Sequence, residues 1–242
     1  MKATTAMTTW RCKLIIYSRI DVPGPRSLFR SKRFTHELPS EEIDHAVESF
    51  KCFPSLVSDL TEGNAGIRYE IHYSQRTLSS LTELSQGGAW WPSPDDTQEE
   101  LSAGEGKCDS IFILWPQNNL QKGTSIKSGG WGLGMGASPW SRCATYATVA
   151  NVSPEVWQVP MKGEVWLHEW LHGVCNFFEI QGYEMPAGDA DGADRHGYVR
   201  SPEKGWTGYY RDLMNGRVIE AGKARGIPTH AWSIPFSYEM IE

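Results

Sequence analysis

The chain has 242 residues, enough for one large domain or two small ones. Its 40% hydrophobic and 21% charged residues are ordinary for a globular protein, and no apolar run approaches the ~20 residues that cross a bilayer. A net charge of −6 without a long run of one sign excludes the basic face expected of a nucleic-acid binder.

In chain order, Met1 to Lys13 is Thr-rich and lacks the apolar core of a signal peptide. Arg11 to Ile20 is apolar and β-branched at its centre and predicts a buried strand. Asp21 to Arg33, with two prolines and a glycine, reads as a loop. Ser40 is a good N-cap for a helix in which Ile43, Val47, Phe50, Val57 and Leu60 recur at helical spacing. Pro54 should kink or split that helix. Ile67 to Ser74 alternates as a strand does, Ser85 to Lys107 reads as a long surface loop, and Ser110 to Trp115 predicts a buried strand.

Gly129 to Gly136 (GGWGLGMG) is either a glycine-rich loop or an edge strand whose glycines let a peptide pair with it closely. Ser141 to Val149 predicts a strand, and Lys162 to Gln181 one helix ended by Gly182. From there to Gly205 no periodicity survives. The class is α+β, with a strand-rich part over about 10–160, then a central helix and a loop-rich part over about 161–242, read as a single domain spanning 1–242. Eleven tryptophans, scattered and in no repeated motif, read mainly as core; a sugar- or peptide-binding aromatic surface is the sharper alternative. Five cysteines are too few for a disulfide scaffold: two disulfides with a free Cys175 would suit an oxidising compartment, five buried thiols a reducing one.

His168-Glu169-Trp170-Leu171-His172 carries the chemistry. Histidines four apart on a helix share one face, so both imidazoles can reach one zinc ion. Glu169, about 100° around the helix, is placed to take a proton from a water that the zinc has acidified. An apolar helix carrying these groups would be costly without a metal or hydrogen-bond partners.

This segment resembles the active-site helix of the zincin metallopeptidases. The run Tyr209-Tyr210-Arg211-Asp212-Leu213-Met214-Asn215-Gly216 is similar to the methionine-containing turn of the metzincin group. The resemblance covers about 160–216. It implies a twisted mixed sheet with a central active-site helix, one Zn²⁺ per chain, a protein or peptide substrate, hydrolysis with Glu169 as base, and Met214 as a floor under the metal. Most peptidases with this motif act outside the cell, so a secreted or extracellular location is the expectation.

The metzincin positions for a glycine and a third ligand hold Cys175 and Phe178 here, so the third ligand must come from elsewhere. Glu179 would lie about 10 Å further along the helix, out of reach. The candidates after the Gly182 turn are Glu184, Asp189, Asp191, Asp194 and His196. His196 is favoured, since three histidines and a water are a familiar catalytic zinc set; Glu184 and Asp191 are the alternatives. Asp189, Asp191 and Asp194 could instead hold Ca²⁺, or one of them could accept the outer N–H of a ligand histidine. Tyr198, Tyr209 and Tyr210 could each donate to a developing oxyanion. Two further readings stand beside the peptidase: a non-peptide zinc hydrolase, and a glycan- or protein-binding module with a structural metal or none.

Overall fold

In the computed structural model, residues 8–23, 33–84, 88–102, 108–136, 143–158 and 160–234 are described. The longest strand, β1 (Thr8–Pro23), is the spine of a six-stranded sheet. β2 (Arg33–Glu37) pairs antiparallel with its C-terminal end, and β3 (Ala65–Leu78) runs parallel along its length. On the opposite edge of β1 lies β6 (Ser110–Trp115), parallel, followed by β10 (Thr145–Ala150), parallel, and β9 (Gly132–Met135), antiparallel, at the sheet's edge. Between β3 and β6 come two short strands, β4 (Thr82–Leu84) and β5 (Ala89–Trp91), and β7 (Asn118–Asn119) pairs with β8 (Thr124–Ser125) before β9.

Side chains alternate across a strand, and here both faces of the sheet are covered. Leu14, Ile16, Phe112, Leu114, Ala147 and Val149 point to one core, while Ile15, Tyr17, Ile111, Ile113, Trp115 and Tyr146 point to the other. The central strands are accordingly apolar without interruption, as strands buried on two faces are. Helices α1 (Ser40–Leu60) and α4 (Glu164–Ile180) cover the first face, with Phe53 of α1 edge-on to Trp170 of α4. Trp170 Nε1 donates to Ser110 Oγ at 2.9 Å, tying α4 to β6.

The second face is covered by the segment that reads as a surface loop. It carries β5 and a short helix, α2 (Gln98–Ser102), with Trp91 and Leu101 buried, and Tyr146 donates to the Pro92 carbonyl at 2.8 Å. Its composition hid two anchoring side chains among polar residues. Pro54 does not split α1: one helix runs from Ser40 to Leu60, held by Phe50, Phe53 and Val57 against the sheet. Ser40 is its first helical residue and makes no side-chain cap; Pro39 holds the cap position. After a short helix α3 (Pro154–Gln158) and α4 come two 3-10 turns (Asp189–Asp191 and Asp194–His196), α5 (Thr207–Leu213) and a hairpin of β11 (Val218–Glu220) and β12 (Lys223–Arg225). This is a mixed α+β architecture with a mixed sheet and few helices. Seven of the eleven tryptophans are buried, so they build core and not an aromatic binding face. Among the described residues no helix is long and apolar enough to cross a membrane.

Candidate metal centre

α4 is apolar on nearly every side, with Trp166, Leu167, Trp170, Leu171 and Val174 buried. That burial holds it rigidly between sheet and C-terminal segment. His168 and His172 lie one turn apart on its remaining face, with Nε2 atoms 3.3 Å apart. Among the described residues, His168, Glu169 and His172 have potential ligand atoms within 4.8 Å of one another.

Each imidazole is fixed through its other nitrogen. His172 Nδ1 is 2.7 Å from Asp189 Oδ1, and His168 Nδ1 is 2.9 Å from the Tyr210 hydroxyl. A carboxylate only accepts, so His172 Nδ1 carries the proton and Nε2 presents a lone pair. In the tautomer in which Tyr210 accepts from His168, two lone pairs would face each other at 3.3 Å, and a cation between them would satisfy both. Asp191 supplies the complement: its Oδ1 is 3.4 Å from His168 Nε2 and its Oδ2 is 3.8 Å from His172 Nε2. Donor atoms on one tetrahedral zinc, each bound at about 2.0–2.1 Å, lie roughly 3.3–3.4 Å from one another. The two imidazoles and the Asp191 carboxylate therefore fit three corners of such a site.

The chain reverses after Gly182, which has a φ of 89°, and the turn at residues 188–192 lays Asp189 and Asp191 against α4. Asp189 itself adopts a φ of 37°, unfavourable for a side chain with a Cβ. The Tyr209 hydroxyl donates to its carbonyl, and its own carboxylate accepts from Ala190 N–H as well as from His172. Adjacent tyrosines of α5 thus orient the two halves of the site, Tyr209 the aspartate turn and Tyr210 His168.

Charge balance follows from burial and neighbours. Burial pushes the Glu169 carboxyl up, opposed by the two imidazoles. A hydrogen bond to His168 leads the effects that hold Asp191 below the usual carboxylate range. Burial pulls His172 down, but the hydrogen bond and charge of Asp189 outweigh it, and the net direction is up.

Two cavities meet at Glu169. One, of about 460 Å³, runs along Gly129–Gly134, which leads into β9, and ends on His168, His172 and Asp191. The other, of about 610 Å³, is lined by Trp131, Val156, Val165, Arg200, Trp206 and Tyr210. β9 can approach because of its glycines: a Cβ on Gly134 would collide with the Glu169 carbonyl oxygen, and one on Gly132 with the Glu169 carboxyl group.

Several expected site residues lie elsewhere. The His196 ring stacks on Tyr209 and its Nε2 is 3.0 Å from the Ala187 carbonyl, so it braces the aspartate turn and does not join the histidine pair. Glu184 is paired with Arg225. Asp189 and Asp191 contact the two histidines, and among the described residues Asp189, Asp191 and Asp194 do not form a ligand cluster for Ca²⁺. The Tyr198 hydroxyl donates to Asp212 at 2.7 Å. Met214 is fully buried in the core one turn after Tyr210. Sequence reasoning allowed an aspartate of this loop to accept a ligand histidine's outer N–H without choosing among the three, and Asp189 is the one on His172; it missed the cavity walls Trp131, Val156 and Trp206.

No family model and no curated protein matches the sequence. Among solved structures the chain is similar to metalloproteinase-II from Bacteroides fragilis, with 14% identity and a TM-score of 0.36 over 72% of this chain. The chain spans 44% of the length of that protein. At that TM-score the functional reading stands on the side chains alone.

Proposed function

We propose that the protein is a zinc-dependent peptidase, its metal held by His168, His172 and Asp191. The observation that carries this reading is the pair of Nε2 atoms 3.3 Å apart, each imidazole anchored through Nδ1, with a carboxylate closing the third side. A bound zinc supplies Lewis acidity, which acidifies a water and polarises a carbonyl. Glu169 takes the proton of the attacking water and returns it to the leaving amine. Its burial favours that shuttle, since a carboxyl raised above its ordinary range holds the proton better. With His168, His172 and Asp191 holding the ion and Glu169 kept as base, a fourth position would be left for water, as a catalytic zinc requires.

The substrate reading rests on β9. Among the described residues its outer edge pairs with no other strand, and it lies along the 460 Å³ cleft that ends at the histidines. An extended peptide added to that edge would bring its carbonyl to Glu169. The 610 Å³ apolar cavity beside it suits a bulky side chain next to the cleaved bond.

The test is Glu169→Gln, which keeps shape and hydrogen bonding but cannot accept a proton. Elemental analysis should find about one zinc per chain in both proteins. Hydrolysis of an unfolded protein should fall by about 10²–10⁴ in the variant. Absence of zinc uptake would end the metal reading. Zinc with no peptide hydrolysis by the wild type would leave a zinc hydrolase of another substrate class.

A further inference from the structure

Cys108 and Cys143 stand outside the site and have no part in the proposed chemistry. They precede two neighbouring parallel strands. The β6–β10 ladder pairs Ser110 with Thr145, and two residues back along each strand the same register sets Cys108 beside Cys143. Asp109 O accepts from Ala144 N at 2.8 Å, so the backbones are still paired at that level. Neighbouring strands lie about 4.7–4.9 Å apart, inside the window of about 4.4–6.8 Å between Cα atoms that a disulfide spans. The two sulfurs are 3.2 Å apart. Both side chains are buried in the core on the second face of the sheet. Cys12 and Cys175 belong to the core on the opposite face, and Cys52 lies half-buried on α1. The fold therefore selects one pair out of five thiols.

We propose that Cys108 and Cys143 form a disulfide when the chain meets an oxidising disulfide such as oxidised glutathione. The Cys108 thiol is held below its ordinary range by its hydrogen bond with Cys143, which makes it the first nucleophile. Its thiolate attacks one glutathione sulfur, the glutathione S–S bond breaks, and one glutathione thiolate leaves. Cys143 then gives up its proton and attacks the Cys108 sulfur, expelling the second glutathione. Two protons and two electrons leave the protein and end on two glutathione thiols. The closed loop contains β6 and all of β9, so the bond ties the entry of β10 to the entry of β6 behind the strand that lies on Glu169. The inference is independent of the peptidase reading.

The test uses the full chain refolded in oxidised or in reduced glutathione, then acid-quenched, alkylated in denaturant and mapped without reduction. Refolding removes the question of access to buried sulfur. A peptide linking Cys108 to Cys143, lighter by two hydrogens than its separate halves, is expected in the oxidised sample alone. The melting midpoint of that sample should be higher by about 5–10 °C. Cys52→Ser should leave both readouts unchanged. Alkylation of all five cysteines after oxidative refolding, or a link joining Cys12 or Cys175, would overturn the proposal. Neither outcome depends on zinc content or hydrolysis.

Discussion

At the scale of single residues, the two roles exchanged between Asp191 and His196 give the sharpest test. Asp191 lies within 3.4 Å and 3.8 Å of the two Nε2 atoms, whereas His196 bonds a carbonyl in the turn behind it. Asp191→Ala should therefore weaken zinc retention in a chelator competition by well over ~100-fold, beyond what loss of an outer partner costs. Tyr210→Phe, which removes only the partner of His168, should cost about 10–100-fold. His196→Ala should lower the melting midpoint and retain the metal more nearly than Asp191→Ala; the reverse ranking would reinstate His196 as ligand. Glu164 tests a different balance. Its Oε1 accepts from Trp206 N–H at 2.7 Å, its Oε2 is buried without a partner among the described residues, and burial pushes its carboxyl above the ordinary value. A carboxyl raised on folding contributes stability that is fully present below its unfolded pKa and is lost as pH rises through the folded value. Glu164→Gln keeps the acceptor and removes the ionisation. Thermal melts from about pH 4 upward, near the ordinary carboxyl value, should show a flatter decline for the variant. An unchanged slope would show that Glu164 is not the group responsible.

At the scale of elements, the contact of β9 with α4 decides whether a cleft exists. Gly134 and Gly132 leave room for the Glu169 backbone and carboxyl, and a β-branched residue cannot enter without moving the strand. Gly134→Val should leave far-ultraviolet circular dichroism close to wild type, since the other strands of the sheet do not depend on it. Hydrolysis should fall by at least about tenfold because the Glu169 position shifts. Retained activity would detach β9 from the site. The strands β1, β6 and β10 were legible from their apolar runs, and α4 from its periodicity and Gly182. The covering segment at 88–102 was not legible, because Trp91 and Leu101 sit among prolines and acidic residues with no period to reveal them. Pro54 misled for a related reason: the rule that it breaks helices is local, and packing of Phe50 and Phe53 on the sheet outweighs it.

At the scale of the whole molecule, the metal is expected to bridge two parts of differing stability. α4 is buried against the sheet, while the turn at 188–192 meets it through Asp189 and Asp191. An ion present at about a hundred times its Kd adds about 2.7 kcal/mol to folding, a shift of roughly 5–10 °C for a chain of this size. Removing it with a chelator should lower the midpoint by that order. Amide exchange should then rise across residues 187–197 and stay slow in β1, β6 and β10. Uniform acceleration would mean that the turn is no weaker than the core.

What the sequence by itself determined is the local chemistry: two histidines and a glutamate on one face of an apolar helix, strands apolar enough to be buried on both sides, and an α+β order. Spacing of about 3.6 and of about 2 is a property of neighbouring residues, so it can be read without the fold. Only the tertiary structure decided which acid meets the histidines, which thiols meet each other, and which strand closes over Glu169. Those pairings join residues well separated along the chain, and they depend on how it turns at Gly182 and on the register of β6 with β10. Five acidic or imidazole side chains were in reach along the chain after Gly182, and the turn at residues 188–192 presents two of them to the metal face.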